Sequence, residues 1–311
     1  MRSRCCLPAT ALGFERVKVV ALPEVERRER ARVAVGTFDG VHLGHREVID
    51  GSECVLTFEP HPVSVVAPQH TPKLLTRPER RAELIASLGV REMIVIPFDP
   101  AFAKRSAGEF VDDVLVGALA AGQVAVGENF RFGHKAKGDA RLLAADERFS
   151  TLVYPLLEVE GEIVSSSHIR GLLLAGDVAE AGRLLGAAFR LCGEVARGDE
   201  RGRTLGFPTA NLIPEEAYAC PGHGVYACLA NGRPAAVSIG VRPTFQTGRG
   251  ELIEAYLLDF EGDLYGSELC LDFLARLRGE RRFDSSDALV QQMRRDVERT
   301  RELVSAHAPG R

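Results

Sequence analysis

Residues 33–49 have the sequence VAVGTFDGVHLGHREVI, in which a short β-rich run leads through a glycine-rich turn into the start of a helix. Apolar runs at 54–58, 93–98 and 123–127 follow, and stretches of helical spacing separate them. Strands that alternate with helices in this way predict an α/β fold built on a parallel, doubly wound sheet. Because such sheets bind ligands at the carboxyl ends of their strands, the turn at 36–45 lies where a ligand is expected.

The pattern changes in the second part of the chain. From Leu191 onward the apolar segments are short and are separated by Gly, Pro and Asn, which predicts a small antiparallel β-barrel. Residues 284–304 begin with Ser and Asp and carry apolar residues at helical spacing, so they predict a packed C-terminal helix. We therefore expect a disordered tail at 1–16, a Rossmann-like domain at 17–186 and a barrel domain at 187–311.

Composition and charge narrow the classes of protein that fit. Hydrophobic residues make up 45% and charged residues 26% of the 311 residues, which is ordinary for a globular chain. The formal charge of −4 gives no electrostatic case for a nucleic-acid partner, and no run of about 18 apolar residues predicts a membrane span. The seven cysteines are odd in number and form no CxxC pair, so we expect reduced, mostly buried thiols in a cytoplasmic protein. The charged run EVERRERAR at 24–32 is expected to be a solvated turn or edge.

Two histidines of the glycine-rich turn, His42 and His45, stand three residues apart with Gly44 between them. A helix N-terminus offers unpaired N–H groups and the positive end of a dipole, and glycine lets the backbone approach a phosphate closely. Two imidazoles can donate hydrogen bonds to phosphoryl oxygens as negative charge develops during transfer. The pair therefore predicts phosphate chemistry. The alternatives are a metal site, for which only Asp39 is a further ligand nearby, and two surface histidines without a role.

A second candidate segment, SSSHIRG at 165–171, gathers hydroxyl groups together with Arg170 at the start of a helix. Hydroxyl donors and a guanidinium fork suit the binding of a triphosphate. Alone the segment is a weak signal, since serines before a helix are usually caps. Together with the HxGH motif of the turn, which is HLGH at 42–45, the segment becomes a specific signal of triphosphate binding.

Six segments now occur in one order: GTFDGVHLGH, LTFEPHP, VGENFRFGHKAKGD, SSSHIR, RGRTLGFPTANL and GVRPTF. Together they resemble the prokaryotic bifunctional riboflavin kinase/FMN adenylyltransferases, also called FAD synthetases, from about Val33 to about Val304. The resemblance implies an N-terminal adenylyltransferase domain and a C-terminal riboflavin kinase domain. The implied partners are the small molecules riboflavin, FMN and ATP, with FAD as the product and with Mg²⁺ as the cofactor. Nucleic acid and membrane are not expected as partners, and a homo-oligomer stays open.

For the N-terminal domain the resemblance implies that the FMN phosphate attacks the α-phosphorus of ATP and that pyrophosphate leaves. His42 and His45 are implied to be catalytic at the ATP phosphates. Phe58 and Phe132 are the candidates to stack on the flat isoalloxazine ring, and packing in the core is the alternative for each. The residues implied to bind ATP or the leaving pyrophosphate are Gly36, Phe38, Asp39, His42, Gly44, His45, Asn129, Ser166, Ser167 and Arg170.

For the C-terminal domain the resemblance implies that Glu254 is the catalytic base for the riboflavin hydroxyl. Asp259 and Asp263 are the competitors, but DFEGD predicts a solvated hairpin turn. Thr209 and Asn211 alternate on an extended segment and are implied to hold Mg²⁺. The implied ATP and Mg²⁺ set is Gly193, Gly198, Gly202, Arg203, Gly206, Pro208, Thr209 and Asn211. A flap over the flavin is assigned to Arg242, Glu280, Arg281 and Phe283, with a solvated face as the alternative for Arg281.

Two departures from the family pattern keep alternatives open. Only nine residues, Arg46 to Cys54, separate the GH of the turn from VLTF, so the first crossover is expected to be compressed. Ser167 stands where threonine is common. The alternative functions are a riboflavin kinase with an impaired adenylyltransferase domain, another HxGH enzyme such as a cytidylyltransferase, and a flavin-binding protein.

Overall fold

The computed structural model describes residues 17–197, 207–241 and 251–307. They form two compact units. The first unit comprises 17–41, 45–71 and 78–156, and the second comprises 42–44, 72–77 and the described residues from 157 onward.

The described strands and helices can be named in chain order. The strands are β1 (Lys18–Ala21), β2 (Val33–Val35), β3 (Cys54–Glu59), β4 (Glu92–Pro97), β5 (Gln123–Gly127), β6 (Arg131–Phe132), β7 (Gly138–Asp139), β8 (Ser150–Tyr154), β9 (Glu158–Val159), β10 (Glu162–Ile163), β11 (Phe189–Ala196), β12 (Ala210–Pro214), β13 (Gly224–Ala230), β14 (Arg233–Val241), β15 (Glu251–Leu257) and β16 (Glu268–Arg278). The α-helices are α1 (Leu43–Ile49), α2 (Pro62–Val66), α3 (Pro78–Ala86), α4 (Ala107–Glu109), α5 (Ala140–Ala144), α6 (Ser166–Ala175), α7 (Val178–Leu185) and α8 (Ser286–His307). Short 3₁₀ turns lie at Leu22–Glu24, Pro68–His70, Phe102–Lys104 and His134–Ala136, and a π-helix follows α4 at Phe110–Ala118.

The first unit is built on a six-stranded sheet in the order β1-β4-β3-β2-β5-β8. Every neighbouring pair of strands is parallel, which confirms the predicted α/β class. All three residues of β2 are buried, because this short strand lies inside the sheet between β3 and β5. The connection from β2 to β3 contains only the seven residues of α1 as helix, so the first crossover is compressed.

The second unit is built on a closed barrel in the order β11-β12-β15-β14-β13-β16, in which the paired strands are antiparallel. The predicted barrel is therefore confirmed. The C-terminal helix α8 is also present, and Asp296 on it receives hydrogen bonds from the Arg278 guanidinium at 2.9 and 3.0 Å. The break between α6 and α7 is formed by Gly176, whose φ is 83°, and by Asp177, which caps α7.

The charged run at 24–32 is mostly exposed, as predicted, with the exception of Arg30. Arg30 is fully buried and donates to the Glu92 carboxylate at 2.9 Å. It also donates to the carbonyl oxygens of Glu26, Arg28 and Leu119. A buried guanidinium is tolerated because these acceptors satisfy it, so the run is tied into the end of the sheet.

The cysteines also differ in part from the expectation of reduced thiols. Cys192 on β11 and Cys270 on β16 lie directly opposite each other on neighbouring strands of the barrel wall and form a disulfide. Cys54 and Cys228 are free and buried, as expected, and burial raises the pKa of the Cys54 thiol to about 12. The pairing was missed because it depends on the register of two strands that are 78 residues apart in the chain. Among the described residues, no helix is both long enough and apolar enough to cross a bilayer.

Candidate functional sites

The turn after β2 has an unusual backbone. Phe38 and Val41 have φ values of 50° and 43°, and Gly40 between them has a φ of 90°. Positive φ is uncommon outside glycine and is a genuine outlier for a β-branched residue such as valine. Each such residue costs on the order of 1–3 kcal/mol, so the surroundings must hold the turn in place. Phe38 and Val41 are indeed buried in the core of the first unit.

Two side chains fix the start of this turn through one backbone oxygen. The carbonyl oxygen of Thr37 accepts hydrogen bonds from Thr57 Oγ1 at 3.1 Å and from Arg81 Nη1 at 3.3 Å. Arg81 is buried and also donates to Glu59 at 2.7 Å, which ties α3 to the end of β3. Sequence reasoning missed Arg81, since a long-range bond to a carbonyl leaves no spacing signal. Glycine is required at 36, because a Cβ there would lie 2.9 Å from the Phe38 ring.

The two histidines of the HxGH motif have different environments. His42 is 5% exposed, and burial lowers its pKa to about 4. The positive charge of Arg170 also lowers this pKa, which indicates that Arg170 lies near His42; both residues belong to the second unit. His42 is therefore neutral near pH 7. His45 packs edge-on against the Phe38 ring, with ring centroids 5.3 Å apart.

The other predicted residues of this site divide between accessible and buried positions. Asp39 is buried, and Asn129 is exposed just beyond β5, at the same carboxyl edge of the sheet as the turn. Ser165 is the N-cap of α6, so Ser166 and Ser167 are its first helical residues. A Cβ on Gly44 would make ordinary contacts with the His42 ring at 3.5 Å and with Leu157 Cβ at 3.6 Å, so the packing of the fold does not require glycine there.

Both phenylalanines that were predicted to stack on a flavin are core residues of the first unit. Phe58 is 7% exposed and Phe132 is 6% exposed. Phe58 packs edge-on against Phe98 at 5.9 Å, and Phe132 stacks on Phe130 at 5.6 Å with an interplanar angle of 17°. Phe130 is only partly buried and was not predicted. It is the more accessible aromatic face of this pair.

In the barrel, Asn211 on β12 and Glu254 on β15 are directly opposite each other. Ser238 on β14 is opposite Glu254 on the other side, so the three side chains share one face of the wall. Their neighbours Leu212 and Ile253 are buried in the core. Because side chains alternate along a strand, the three polar side chains point away from that core. Ser238 was missed, although a serine within the apolar strand AAVSIG was a usable signal.

The remaining kinase residues are placed as follows. Thr209 is partly buried one residue before β12, and Pro208 is exposed. Gly193, which is implied to belong to the ATP and Mg²⁺ set, lies within β11, where a Cβ would overlap the Ile213 carbonyl; strand packing therefore explains this glycine. The Glu280 carboxylate lies against Gly240, two residues from Ser238.

Two residues of the predicted flap differ in exposure. Arg281 is exposed, and Phe283 is partly buried with the Arg278 guanidinium 5.6 Å above its ring. Five predicted residues lie outside the described residues: Gly198, Gly202, Arg203, Gly206 and Arg242. Within the described ranges, no group of three or more His, Cys, Asp or Glu is arranged to hold a metal ion.

A parallel sheet with an HxGH turn, together with a closed barrel that carries a facing Asn–Glu pair, is the arrangement expected of a transferase with two phosphate-handling sites. The sequence models of the FAD synthetase and riboflavin kinase families match residues 24–168 and 185–304. Bifunctional riboflavin kinase/FMN adenylyltransferases from Listeria monocytogenes and Escherichia coli K12 are 38% and 36% identical to the chain. These matches cover 86% of this chain and 91% of the Listeria protein, and 91% of this chain and 95% of the E. coli protein. The chain belongs to the family of bifunctional riboflavin kinase/FMN adenylyltransferases.

A solved structure supports the same architecture over nearly the whole chain. The structure of a Streptococcus pneumoniae protein described as a macrolide-efflux protein has a TM-score of 0.83 at 31% identity. The match covers 92% of this chain and 99% of that protein.

Proposed function

We propose that the chain makes both flavin cofactors: it phosphorylates riboflavin to FMN in the barrel and adenylylates FMN to FAD at the HxGH turn, with ATP as the donor in each reaction. The observation that supports the second assignment is the influence of the Arg170 charge on His42, because it indicates that His42 of the HxGH turn and Arg170 of the SSSHIR segment, both expected to bind ATP phosphates, lie near each other in the second unit. We assign residues 17–186 to the adenylyltransferase and 187–311 to the kinase.

At the HxGH turn, the FMN phosphate attacks the α-phosphorus of ATP and pyrophosphate leaves. No covalent intermediate is needed, so the residues contribute by positioning and by stabilising charge. Neutral His42 donates a hydrogen bond to a phosphoryl oxygen, and His45 acts beside it. Arg170, Ser166 and Ser167 receive the negative charge of the leaving pyrophosphate.

At the barrel wall, Glu254 accepts the proton of the riboflavin 5′-hydroxyl as that oxygen attacks the γ-phosphorus. The hydroxyl of Thr209 and the amide oxygen of Asn211, beside the Glu254 carboxylate, form a set of oxygen donors that fits Mg²⁺. When bound there, this ion neutralises the charge on the ATP phosphates. We place the enzyme in the cytoplasm, acting on small molecules rather than on nucleic acid or membrane.

The test is a pair of variants in a flavin assay. Purified protein is incubated with riboflavin and Mg-ATP, and the flavins are separated by chromatography; both FMN and FAD are expected. Glu254→Ala should abolish FMN formation but still convert supplied FMN to FAD, and His45→Ala should do the reverse. If either variant lost both activities while remaining folded, the assignment of two separate sites would be wrong.

A further inference from the structure

The segment Pro72–Arg77 belongs to the second compact unit and forms an extension of it. The backbone N–H of Leu74 donates to the carbonyl oxygen of Ala217 at 2.8 Å, and the N–H of Ala219 donates to the carbonyl oxygen of Leu74 at 2.8 Å. Leu74 is thereby paired with the turn at 215–219, which directly follows β12.

Arg170 is attached to this paired segment. Its Nε donates to the carbonyl oxygen of Lys73 at 2.6 Å, one residue before the pairing at Leu74. A charge-assisted bond of this length is among the stronger hydrogen bonds in proteins. Because Nε lies in the plane of the guanidinium, this bond restrains the direction in which the fork of Arg170 points.

The segment is also anchored on its C-terminal side. Arg77 donates to the carbonyl oxygen of Cys192 at 3.0 Å and forms ion pairs with Glu215 at 3.0 Å and with Glu268. Its guanidinium lies 5.7 Å from the centroid of the Tyr218 ring. Leu75 is 2% exposed and packs in the core of the second unit. The carbonyl of Lys73 is therefore held by the pairing of Leu74, by the anchors at Leu75 and Arg77, and by the Lys73 ammonium, which donates to the carbonyl oxygen of Glu216.

We propose that Lys73 and Leu74, held by the 215–219 turn, are positioning residues for adenylyl transfer that orient Arg170 toward the leaving pyrophosphate. This inference rests on the proposed role of Arg170. Arginine recognises phosphate through two parallel N–H groups, and such contacts depend on the orientation of the guanidinium plane. The turn after the kinase strand β12 thus contributes to the adenylyl reaction without touching its substrates.

Leu74→Pro is the direct test in the full-length enzyme. Proline removes the N–H that bonds Ala217 and also biases residue 73 toward an extended backbone. We expect FAD formation from FMN to fall about 10- to 100-fold, as is typical when a catalytic group is displaced by about 1 Å. In the reverse reaction, from FAD and pyrophosphate, KM for pyrophosphate should rise while KM for FAD stays within about twofold. Leu74→Ala is the matched comparison at the same position, because it removes the side chain but keeps the backbone N–H that bonds the carbonyl oxygen of Ala217.

A double-mutant cycle separates positioning from a general loss of structure. In an Arg170→Ala background, Leu74→Pro should have no further effect on adenylyl transfer, since the group that it positions is absent. If the rate losses caused by Arg170→Ala and by Leu74→Pro multiplied in the double variant, the inference would be wrong. Full adenylyl activity in folded Leu74→Pro would also overturn it. If Leu74→Pro does not fold, as judged by its melting curve and its riboflavin kinase activity, Arg77→Gln enters the same cycle with the same expectations.

The cycle also distinguishes a failure of the proposed role of Arg170 from a failure of the proposed positioning by Leu74. If Arg170→Ala leaves adenylyl transfer unchanged, the proposed role of Arg170 is wrong, and the inference is wrong with it. If Arg170→Ala impairs the reaction but Leu74→Pro does not, only the positioning inference fails and the proposed function stands.

Discussion

Gly44→Ala should make the enzyme more stable and yet impair one of its two reactions. Gly44 is the second residue of α1, and alanine is favoured over glycine in a helix by about 0.5–1 kcal/mol. The new methyl group would lie 3.5 Å from the His42 ring and 3.6 Å from Leu157 Cβ, which are ordinary contacts. The substitution should therefore raise the free energy of unfolding through the higher helix propensity of alanine, with no steric clash to offset it. The same methyl group would occupy the space through which a phosphate approaches the backbone beside His42.

The expected result is a melting temperature raised by about 2–4 °C for a gain of about 1 kcal/mol. In the same protein, KM for ATP in FAD formation should increase at least about 10-fold, which corresponds to about 1.4 kcal/mol of lost phosphate binding. Riboflavin kinase activity should not change. Gly108→Ala is the matched control, because Gly108 is also helical and a Cβ there meets only Ser106 Oγ at 3.9 Å.

The control should show a similar gain in stability with both activities intact. Normal adenylyl transfer by Gly44→Ala would refute the idea that phosphate passes close to this backbone. A fall in melting temperature would show that the steric argument is wrong.

Three further predictions concern stability. The pKa of His42 is near 4 in the folded protein instead of 6.5, so between these pH values the unfolded chain binds a proton that the folded chain does not. The free energy of unfolding should therefore fall by up to about 3 kcal/mol as the pH drops from 6.5 to 4. Denaturant titrations of wild type and His42→Gln at several pH values check this, and equal pH slopes for the two proteins would contradict it. The Cys192–Cys270 disulfide closes a loop of 78 residues, so reduction should lower the free energy of unfolding of the wild type by about 4 kcal/mol. Cys192→Ser should melt at the same temperature with and without reductant. A wild type whose melting is insensitive to reductant would argue against the bond. Arg30→Ala should cost about 3 kcal/mol in urea unfolding, because the buried Glu92 carboxylate then keeps only the half-exposed Arg28 as its partner. A loss below about 1 kcal/mol would show that the Arg30–Glu92 pair is not important.

The sequence predicted what depends on local pattern. The strand–turn–helix of residues 33–49 and the short barrel strands were recognisable from periodicity, and both are present. A common face for Thr209 and Asn211 is expected from alternation along one segment and stays a prediction. That Glu254 stands opposite Asn211 follows only from the register of β12 with β15, and residues far apart in the chain set that register.

The contacts that sequence reasoning missed have a common physical origin. Arg81 bonds the carbonyl of Thr37, and Arg170 bonds the carbonyl of Lys73. Every residue carries such a carbonyl, so neither contact requires a particular side chain at the acceptor position, and no motif marks it. Pairs of this kind become visible only when the fold brings distant segments together.

The chemistry of the two nucleophiles explains why the two proposed sites carry different groups. The FMN phosphate is already largely ionised at pH 7, since the second pKa of a phosphate monoester is about 6, so it needs no base. A histidine with a pKa near 4 would be a poor proton acceptor at that pH, but it is suited to donate a hydrogen bond without adding charge. A riboflavin hydroxyl must instead lose its proton during attack, and the partly buried carboxylate of Glu254 is an acceptor that suits this step. Exchanging the two kinds of group would therefore leave the phosphate nucleophile facing a like charge and the hydroxyl without a base.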